Sequence, residues 1–512
     1  MEEKNESRIA HTSKNMLFSI ILYVVRVLLG FVSRTVFIYY LSKEYLGLNS
    51  LFSNILTLLS LAEMGFGNAI IFSMYKPIAE KDDEKVKQLL SLYKKFYVIV
   101  AAIIAVVGGA ITPFITHLVS DAPNVAVNIY IVYLIFLANT VCSYFLSYRR
   151  ALLITNQRQD IESKISIISI LSLHAVQILI LVLTKNYYLF IICSIFSTFF
   201  ENLAAYLITN KLYPNYIKNP QSALPKEERK VITKNVFAMF FHKLEYVFVF
   251  GTDNIIISAF LGVSVLGVYS NYAMIISYVT TLVSFFTSAV RGSLGNYISV
   301  KTPAETEQLF YRINFGFMWV VSWCTICLCC LFQPFINLWL NESFLLPLTT
   351  MLLLAASFYF SHSRDILGLV KENAGIFWQD RYKAVAIAIV NVVSSIVLCH
   401  FIGLPGVVLG TIISTVFIPV WLEPYYVYKI YFKSNALKYV RNYLINMFLT
   451  IVLGALTFFI CHIIPLGGFI GLLVKSVICV VVPNIFYVLL FFKTDSFKYF
   501  MSVVKKIIKK AH

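Results

Sequence analysis

Arg26 and Arg34 lie eight residues apart inside an apolar run, 16–41, with Gly30 midway between them. At 100° per residue the three advance about 40° each, so they form one stripe on one helix face, and Gly30 keeps that stripe open. Guanidinium groups suit phosphate, which they grip in bidentate geometry. A second run, 235–261, carries His242, Lys243, Glu245 and Asp253, and its two carboxylates are also eight apart. Glu63, Arg291 and Arg364 are further ionisable groups in apolar surroundings, and Asn68 and Asn254 add polar side chains beside them. An ionisable group at membrane depth costs at least about 2.5–3.5 kcal/mol, so each must face a partner, a water-filled cavity or the interface. The functional reading is a polar cavity. Arg26, Arg34, Arg291 and Arg364 would hold an anionic head group. Glu63, Glu245 and Asp253 would bind a coupling cation, Na+ or H+, or pair with the arginines between states, with Asn68 and Asn254 lining the same space. The competing reading is that Arg34, Arg291 and Lys475 reach to interfaces, Glu245 neutralises a neighbour, and Asn271 serves helix packing.

The elements that position these groups follow from composition. Of 512 residues, 59% are hydrophobic and only 13% charged, against about 25% charged in a soluble domain. The fold class is therefore an all-α polytopic membrane protein. A window of about 19 residues gives fourteen spans, among them 16–41, 47–73, 235–261, 347–370, 442–464 and 468–492. The polar start, residues 1–15, followed by an apolar run too long for a signal-peptide core of about 7–15 residues, reads as a retained first span. With the N-terminus in the cytoplasm, 34 of the 42 Lys and Arg fall on inner tails and loops, two on outer loops and six within spans. That bias predicts cytoplasmic N- and C-termini, and it accounts for the net charge of +17 without nucleic acid. The mixed-charge stretch 76–95 reads as an amphipathic helix on the cytoplasmic face. The tail 505–510 reads as a basic stretch drawn to anionic membrane lipid.

The chain repeats itself at a shift of 220 residues. Leu46-Gly47 and Ser50 recur as Leu266-Gly267 and Ser270, Lys14-Asn15 as Lys234-Asn235, and Gln88-Leu89 as Gln308-Leu309. Gln159-Asp160 recurs as Gln379-Asp380, and Pro113-Phe114-Ile115 as Pro334-Phe335-Ile336 with one residue of slippage. Six spans per repeat predict two pseudo-symmetric six-helix lobes in parallel orientation, with a substrate path at their interface. The domain organisation expected is an N-terminal lobe over 1–211, a cytoplasmic linker over 212–234, a C-terminal lobe over 235–428, and two additional helices with a basic tail over 429–512. The two extra helices are a lipid-facing addition or a groove for a lipid tail.

Chemistry that is missing also bounds function. The sequence holds no GxxxxGK(S/T) loop, HExxH or GxSxG, so neither ATP hydrolysis nor common hydrolase chemistry is expected. Cys324, Cys327, Cys329 and Cys330 sit in one apolar run without the His companions that zinc spacing calls for, so no metal or other cofactor is expected.

The strings YLGLNSLFSN (Tyr45–Asn54), LAEMGFGNAI (Leu61–Ile70) and MYKPIAEK (Met74–Lys81) resemble bacterial polysaccharide-export flippases of the Wzx type. So do TDNIIIS (Thr252–Ser258), YSNY (Tyr269–Tyr272) and NAGIFWQDRYK (Asn373–Lys383). The superfamily also holds the lipid II flippase and the multidrug/toxin extruders. The resemblance implies fourteen spans and alternating access in the bacterial cytoplasmic membrane. The implied cargo is an undecaprenyl-diphosphate-linked oligosaccharide for capsule, exopolysaccharide or O-antigen (lipopolysaccharide) assembly, with glycosyltransferases and a polymerase of the pathway as partners. By the same resemblance Arg26 and Arg34 meet the diphosphate, and Glu63, Gly65, Asp253 and Asn254 fall within family strings. A cation-coupled multidrug or metabolite antiporter is the first alternative, and a polymerase or ligase enzyme a more distant one.

Overall fold

A backbone that crosses a bilayer must satisfy its own hydrogen bonds, and a chain without barrel-forming strands does so as helices. The computed structural model describes the backbone of residues 2–63, 66–120, 125–376 and 379–511; within these, the side chains of 2–17, 61–62, 68, 231, 234–250, 381 and 506–511 are not described. Among the described residues all regular structure is helical, and the protein is an all-α polytopic membrane protein. Among the described residues, eleven helices are long and apolar enough to cross a membrane. The three other expected spans are 47–73, 235–261 and 347–370. The first and third are each built from two shorter helices, while the second runs through side chains outside those described.

The chain forms two compact units, Met1–Gly267 and Val268–His512. The boundary thus falls inside a helix, and the segment 212–234 belongs to the first unit together with the helix that follows it.

In the first unit, α1 (Glu2–Tyr40) packs along α7 (Gln159–Thr184), and α7 pairs in turn with α8 (Tyr187–Leu212). The second expected span is α2 (Lys43–Leu59), a 3₁₀ turn Ser60–Glu63, and α3 (Phe66–Glu80). The stretch 76–95 is not a separate surface helix. Lys81 turns left-handed at φ 59°, and Asp82 caps α4 (Asp83–Ile111) by accepting from the Lys85 amide at 3.0 Å. Its charges therefore belong to the end of one helix and the start of the next.

The fourth span is α5 (Ile129–Ser143), a break at Leu146 (φ 65°), and α6 (Arg150–Thr155). The segment before α9 (Lys226–Leu261) is held down by polar contacts rather than left loose. Gln88 donates to Ser222 at 2.8 Å, Arg149 donates to the Tyr216 carbonyl at 2.7 Å, and Lys85 pairs with Glu228. Burial and the Asp83 carboxylate push the Tyr216 phenol up to about 12. These contacts explain why this segment groups with the first unit.

In the second unit, α10 (Val263–Val300, from Val268 onward) leads to α11 (Pro303–Leu340), which starts with a capping box between Thr302 and Glu305. The tenth span divides into α12 (Leu348–His362) and α13 (Asp365–Asn373). Gly403, at φ 67°, joins α14 (Arg381–Ile402) to α15 (Leu404–Phe417), and the two helices pack tightly on each other. The twelfth span continues as α16 (Pro419–Tyr426). The two additional helices, α17 (Leu437–Ile463) and α18 (Gly468–Phe491), pack on α11, and so does α19 (Asp495–Ala511).

Candidate functional site

The break in the second span places a carboxylate. Helix α2 ends at Leu59, Ser60 turns its hydroxyl back onto the Leu56 carbonyl at 2.8 Å, and Glu63 closes the 3₁₀ turn. Tyr97 of α4 donates to Glu63 Oε1 at 2.6 Å, and the Tyr93 and Tyr97 hydroxyls lie 2.6 Å apart. Tyr144, at the end of α5, brings a third phenol to Glu63 and Ser60. Gly67 makes room for this cluster, since a Cβ there would strike the Tyr93 hydroxyl. Phe66 stacks on Phe96 at 3.5 Å and covers one side. Among the described residues, the groups bonded to this carboxylate are hydroxyls, not cations. Such a cluster of oxygens can hold a proton or a small hard cation, because phenols and a carboxylate are oxygen donors of the kind those ions prefer.

Helix α1 presents the arginine stripe. Its exposed apolar side runs through Val24, Leu28 and Val32. At 100° per residue Arg26 stands roughly 160° from Leu28, and Arg34 roughly 120°. Both guanidinium groups therefore lie on the other side of the helix, the side on which Ser33 and Phe37 are buried. Arg26 remains exposed there and Arg34 is half-buried.

Asp253 is buried at 4% exposure in α9, and its neighbour Asn254 is half-buried. One turn later the Ser258 hydroxyl donates to the Leu118 carbonyl at 2.7 Å, while Ser120 donates to the Ser258 carbonyl at 2.9 Å. Those bonds pin the end of α9 within the first unit. The side chains of Glu245 and Asn68 lie outside those described, as do His242 and Lys243; Gly65 lies outside the described residues altogether. Asn271 is fully buried, and its side-chain amide donates to the Val268 carbonyl of its own helix at 3.3 Å.

Arg291 and Arg364 have carboxylate partners. Arg291 pairs with Glu372 at 2.5 Å in an exposed position. Arg364 pairs with Glu423 at 2.8 Å in a buried cluster that also holds Lys371, Asp380 and Lys383. In that cluster Lys371 lies 2.5 Å from Asp380 and 3.6 Å from Glu423. The first unit carries a counterpart: Arg150 pairs with Glu162 at 2.5 Å and with Glu201 at 3.1 Å. Shifts of 221 and 222 residues carry Arg150 to Lys371 and Glu201 to Glu423, close to the repeat read from sequence. Each cluster ties the short second helix of a broken span to two later helices, α6 to α7 and α8 in the first unit and α13 to α14 and α16 in the second. The sequence singled out Arg364 but none of its partners, and Arg150 and Lys371 read as loop charges. The repeated Gln159-Asp160 and Gln379-Asp380 were the available signal, for Asp160 and Asp380 are both buried, at 1% and 3%.

The model of the family described as polysaccharide biosynthesis protein matches residues 12–291. The chain belongs to that family. The matched stretch contains the arginine stripe, the Glu63 cluster and Asp253. No curated protein matches the chain. Among solved structures, this polysaccharide biosynthesis protein is similar to the lipid II flippase MurJ in an inward closed conformation. That likeness has 16% identity and a TM-score of 0.66, over 93% of this chain and 99% of that one. It is also similar to an inward-facing multidrug resistance MATE family transporter, at 13% identity and TM-score 0.60, over 81% and 96%. A variant of the Vibrio cholerae MATE transporter VcmN gives 15% identity and TM-score 0.55, over 82% and 97%. At these identities the likeness is one of fold.

Proposed function

We propose that the protein is a flippase. It moves undecaprenyl-diphosphate-linked oligosaccharide repeat units across the bacterial cytoplasmic membrane by alternating access and catalyses no covalent chemistry. The observation that carries this reading is the position of Arg26: a guanidinium exposed on the side of α1 away from its apolar surface. A lipid diphosphate carries at least one negative charge per phosphate, and crossing hydrocarbon requires a cationic, hydrated route for it. Arg26 receives the diphosphate and Arg34 takes it further along the same stripe. Membership in the polysaccharide biosynthesis family supports the sugar-bearing cargo.

A cavity of about 800 Å³ between α11, α17 and α18, with mainly apolar walls and Lys475 among its lining residues, suits a lipid tail. On this reading both termini are cytoplasmic, and the glycosyltransferases and polymerase of the pathway act before and after the protein. Glu63 is the coupling group, loading H+ or Na+ among the three tyrosines. Asp253 is the other carboxylate that faces the transported charge, and Asn254 lines the route beside it. Arg291 and Arg364 act through their carboxylate partners when the route opens and closes.

The test is Arg26→Ala at unchanged protein level. Lipid-linked oligosaccharide should then accumulate on the inner leaflet while surface polymer falls at least tenfold. Normal surface polymer in that variant overturns the reading. The Glu63 cluster also favours a second reading, a cation-coupled antiporter of a soluble drug or metabolite. In that case Glu63→Gln would abolish transport while the double variant Arg26→Ala/Arg34→Ala retained it.

A further inference from the structure

Four cysteine sulfurs meet in the core of the second unit. Cys327 and Cys330 are one turn apart on α11, Cys461 is near the end of α17, and Cys479 is in the middle of α18. The sulfurs of Cys330, Cys461 and Cys479 all lie within 4.8 Å of one another. The three residues are buried, at 4%, 4% and 0% exposure. Cys479 is the hub: its sulfur neighbours those of Cys330 and Cys461, and that of Cys327 as well. The remaining cysteines of α11, Cys324 and Cys329, do not enter the three-sulfur group. Trp323 fixes the hub's backbone by donating from its indole nitrogen to the Cys479 carbonyl at 2.9 Å.

Free cysteines pack as small hydrophobes, and a buried one needs no partner. Four that converge from three helices are a different matter. Sulfurs bound to one metal ion at about 2.3 Å stand about 3.8 Å apart in a tetrahedral site. The observed separations exceed that by at most about 1 Å, which thiol rotamers can close without moving a helix. The cluster also has a way in. The cavity of about 800 Å³ between α11, α17 and α18 is lined by Cys330, Cys461, His462, Gln333 and Asn337.

We infer that Cys327, Cys330, Cys461 and Cys479 form a thiol site for a soft monovalent d¹⁰ ion, Cu(I) in chemical class. Thiolate donors select such ions over hard ones. Charge decides between the soft candidates. A zinc ion held by four thiolates leaves two uncompensated negative charges in an apolar core, where a lone charge is very costly. A Cu(I) ion held by two thiolates leaves only one, and the other two thiols pack beside it. Binding breaks two S–H bonds and forms two metal–sulfur bonds. Both protons leave through the cavity, and neither metal nor sulfur changes oxidation state. The bound ion joins α17 and α18, which lie outside the repeat, to α11 within it.

Ag(I) is the air-stable probe. Full-length protein, purified in detergent with a phosphine reductant, should retain one Ag(I) per chain through gel filtration. It should also show a near-ultraviolet thiolate-to-metal band, a Tm raised by several degrees, and slower maleimide labelling of these cysteines. Cys479→Ser and Cys461→Ser should each bind Ag(I) at least tenfold more weakly, while Cys142→Ser and Cys193→Ser bind as the wild type does. If either cluster variant aggregates, the wild-type stoichiometry and Tm shift still decide. No retained ion, equal binding by all four variants, or a Cys330–Cys479 disulfide that persists in reductant would each overturn the inference.

Discussion

Gly47 and Gly267 occupy corresponding places in the 220-residue repeat, and each lies against the backbone four residues before the other. A Cβ on Gly47 would fall on the Val263 carbonyl oxygen, and a Cβ on Gly267 would fall on the Lys43 carbonyl oxygen. The relationship is reciprocal, and all four residues belong to the first unit. Backbone cannot rotate aside as a side chain can. Alanine at either position should therefore destabilise by about 1–3 kcal/mol, the usual cost of overpacking, read as a lower Tm of the detergent-solubilised protein. Gly109→Ala is the control. A Cβ there meets nothing within 4 Å, so the substitution should leave Tm unchanged or raise it, because alanine is the better helix former. Equal effects at all three positions would show that the close approach does not matter.

Glu63 accepts its 2.6 Å hydrogen bond from Tyr97, which in turn meets Tyr93. A hydrogen bond to a charged acceptor is worth about 1.5–3 kcal/mol, or roughly 10–100-fold in an equilibrium. Tyr97→Phe removes that donor while keeping the ring that packs on Tyr144. In a vesicle flipping assay it should slow transport by up to that factor, and Glu63→Gln should also remove any dependence on the H+ or Na+ gradient. Full gradient dependence in Glu63→Gln would move the coupling role to another carboxylate.

Glu423 is the acidic centre of the buried cluster, contacted by Arg364, Lys371 and Lys383. Removing one partner from a buried ionic group leaves the others uncompensated and costs about 3–5 kcal/mol. Glu423→Ala should accordingly abolish accumulation of folded protein or lower its Tm sharply. In the first unit, Glu201→Ala should cost less, since Arg150 keeps Glu162 at 2.5 Å. Fluorescence-detected gel filtration after a heating series measures both. A larger loss at Glu201 than at Glu423 would contradict the ordering.

Hydropathy made the helical class legible, because a run of apolar residues reports burial in lipid whatever its partners. It could not report continuity. The window over 47–73 averages across Ser60–Glu63, where the backbone leaves the α-helical pattern and creates the Glu63 site; only the string Leu61–Ile70 drew attention to it, through a resemblance. The charges of 76–95 read as one helix because the left-handed turn at Lys81 has no strong residue signature, although Asp82 is an ordinary N-cap. Arg150 and Lys371 fall just past the ends of expected spans and read as loop charges. Their placement, Arg150 half-buried and Lys371 buried, follows from breaks at Leu146 and at Ser363-Arg364, which fold the short helices α6 and α13 back among their neighbours. The thiol cluster was illegible for another reason. Cys461 and Cys479 lie more than a hundred residues from Cys327 and Cys330, and spacing rules for metal ligands look along the chain rather than across helices.

Trp319 on α11 ties down the end of the chain. Its ring stacks on Tyr487 of α18 at 5.5 Å and on Phe497 of α19 at 5.9 Å, and its indole nitrogen donates to Asn484 at 2.8 Å. Phe500 adds a ring 5.5 Å away and fills the space above Gly316, where a Cβ would strike it. Truncating a buried aromatic of this kind costs about 3–5 kcal/mol. Trp319→Ala should therefore release α19 and loosen α18 before the rest of the protein unfolds. Limited proteolysis should then cut near Lys493–Lys498 at least tenfold faster than in the wild type, while Trp421→Ala, at an exposed position, should leave the rate unchanged. Equal cleavage rates in Trp319→Ala and the wild type would mean that α19 is held by contacts other than this aromatic stack.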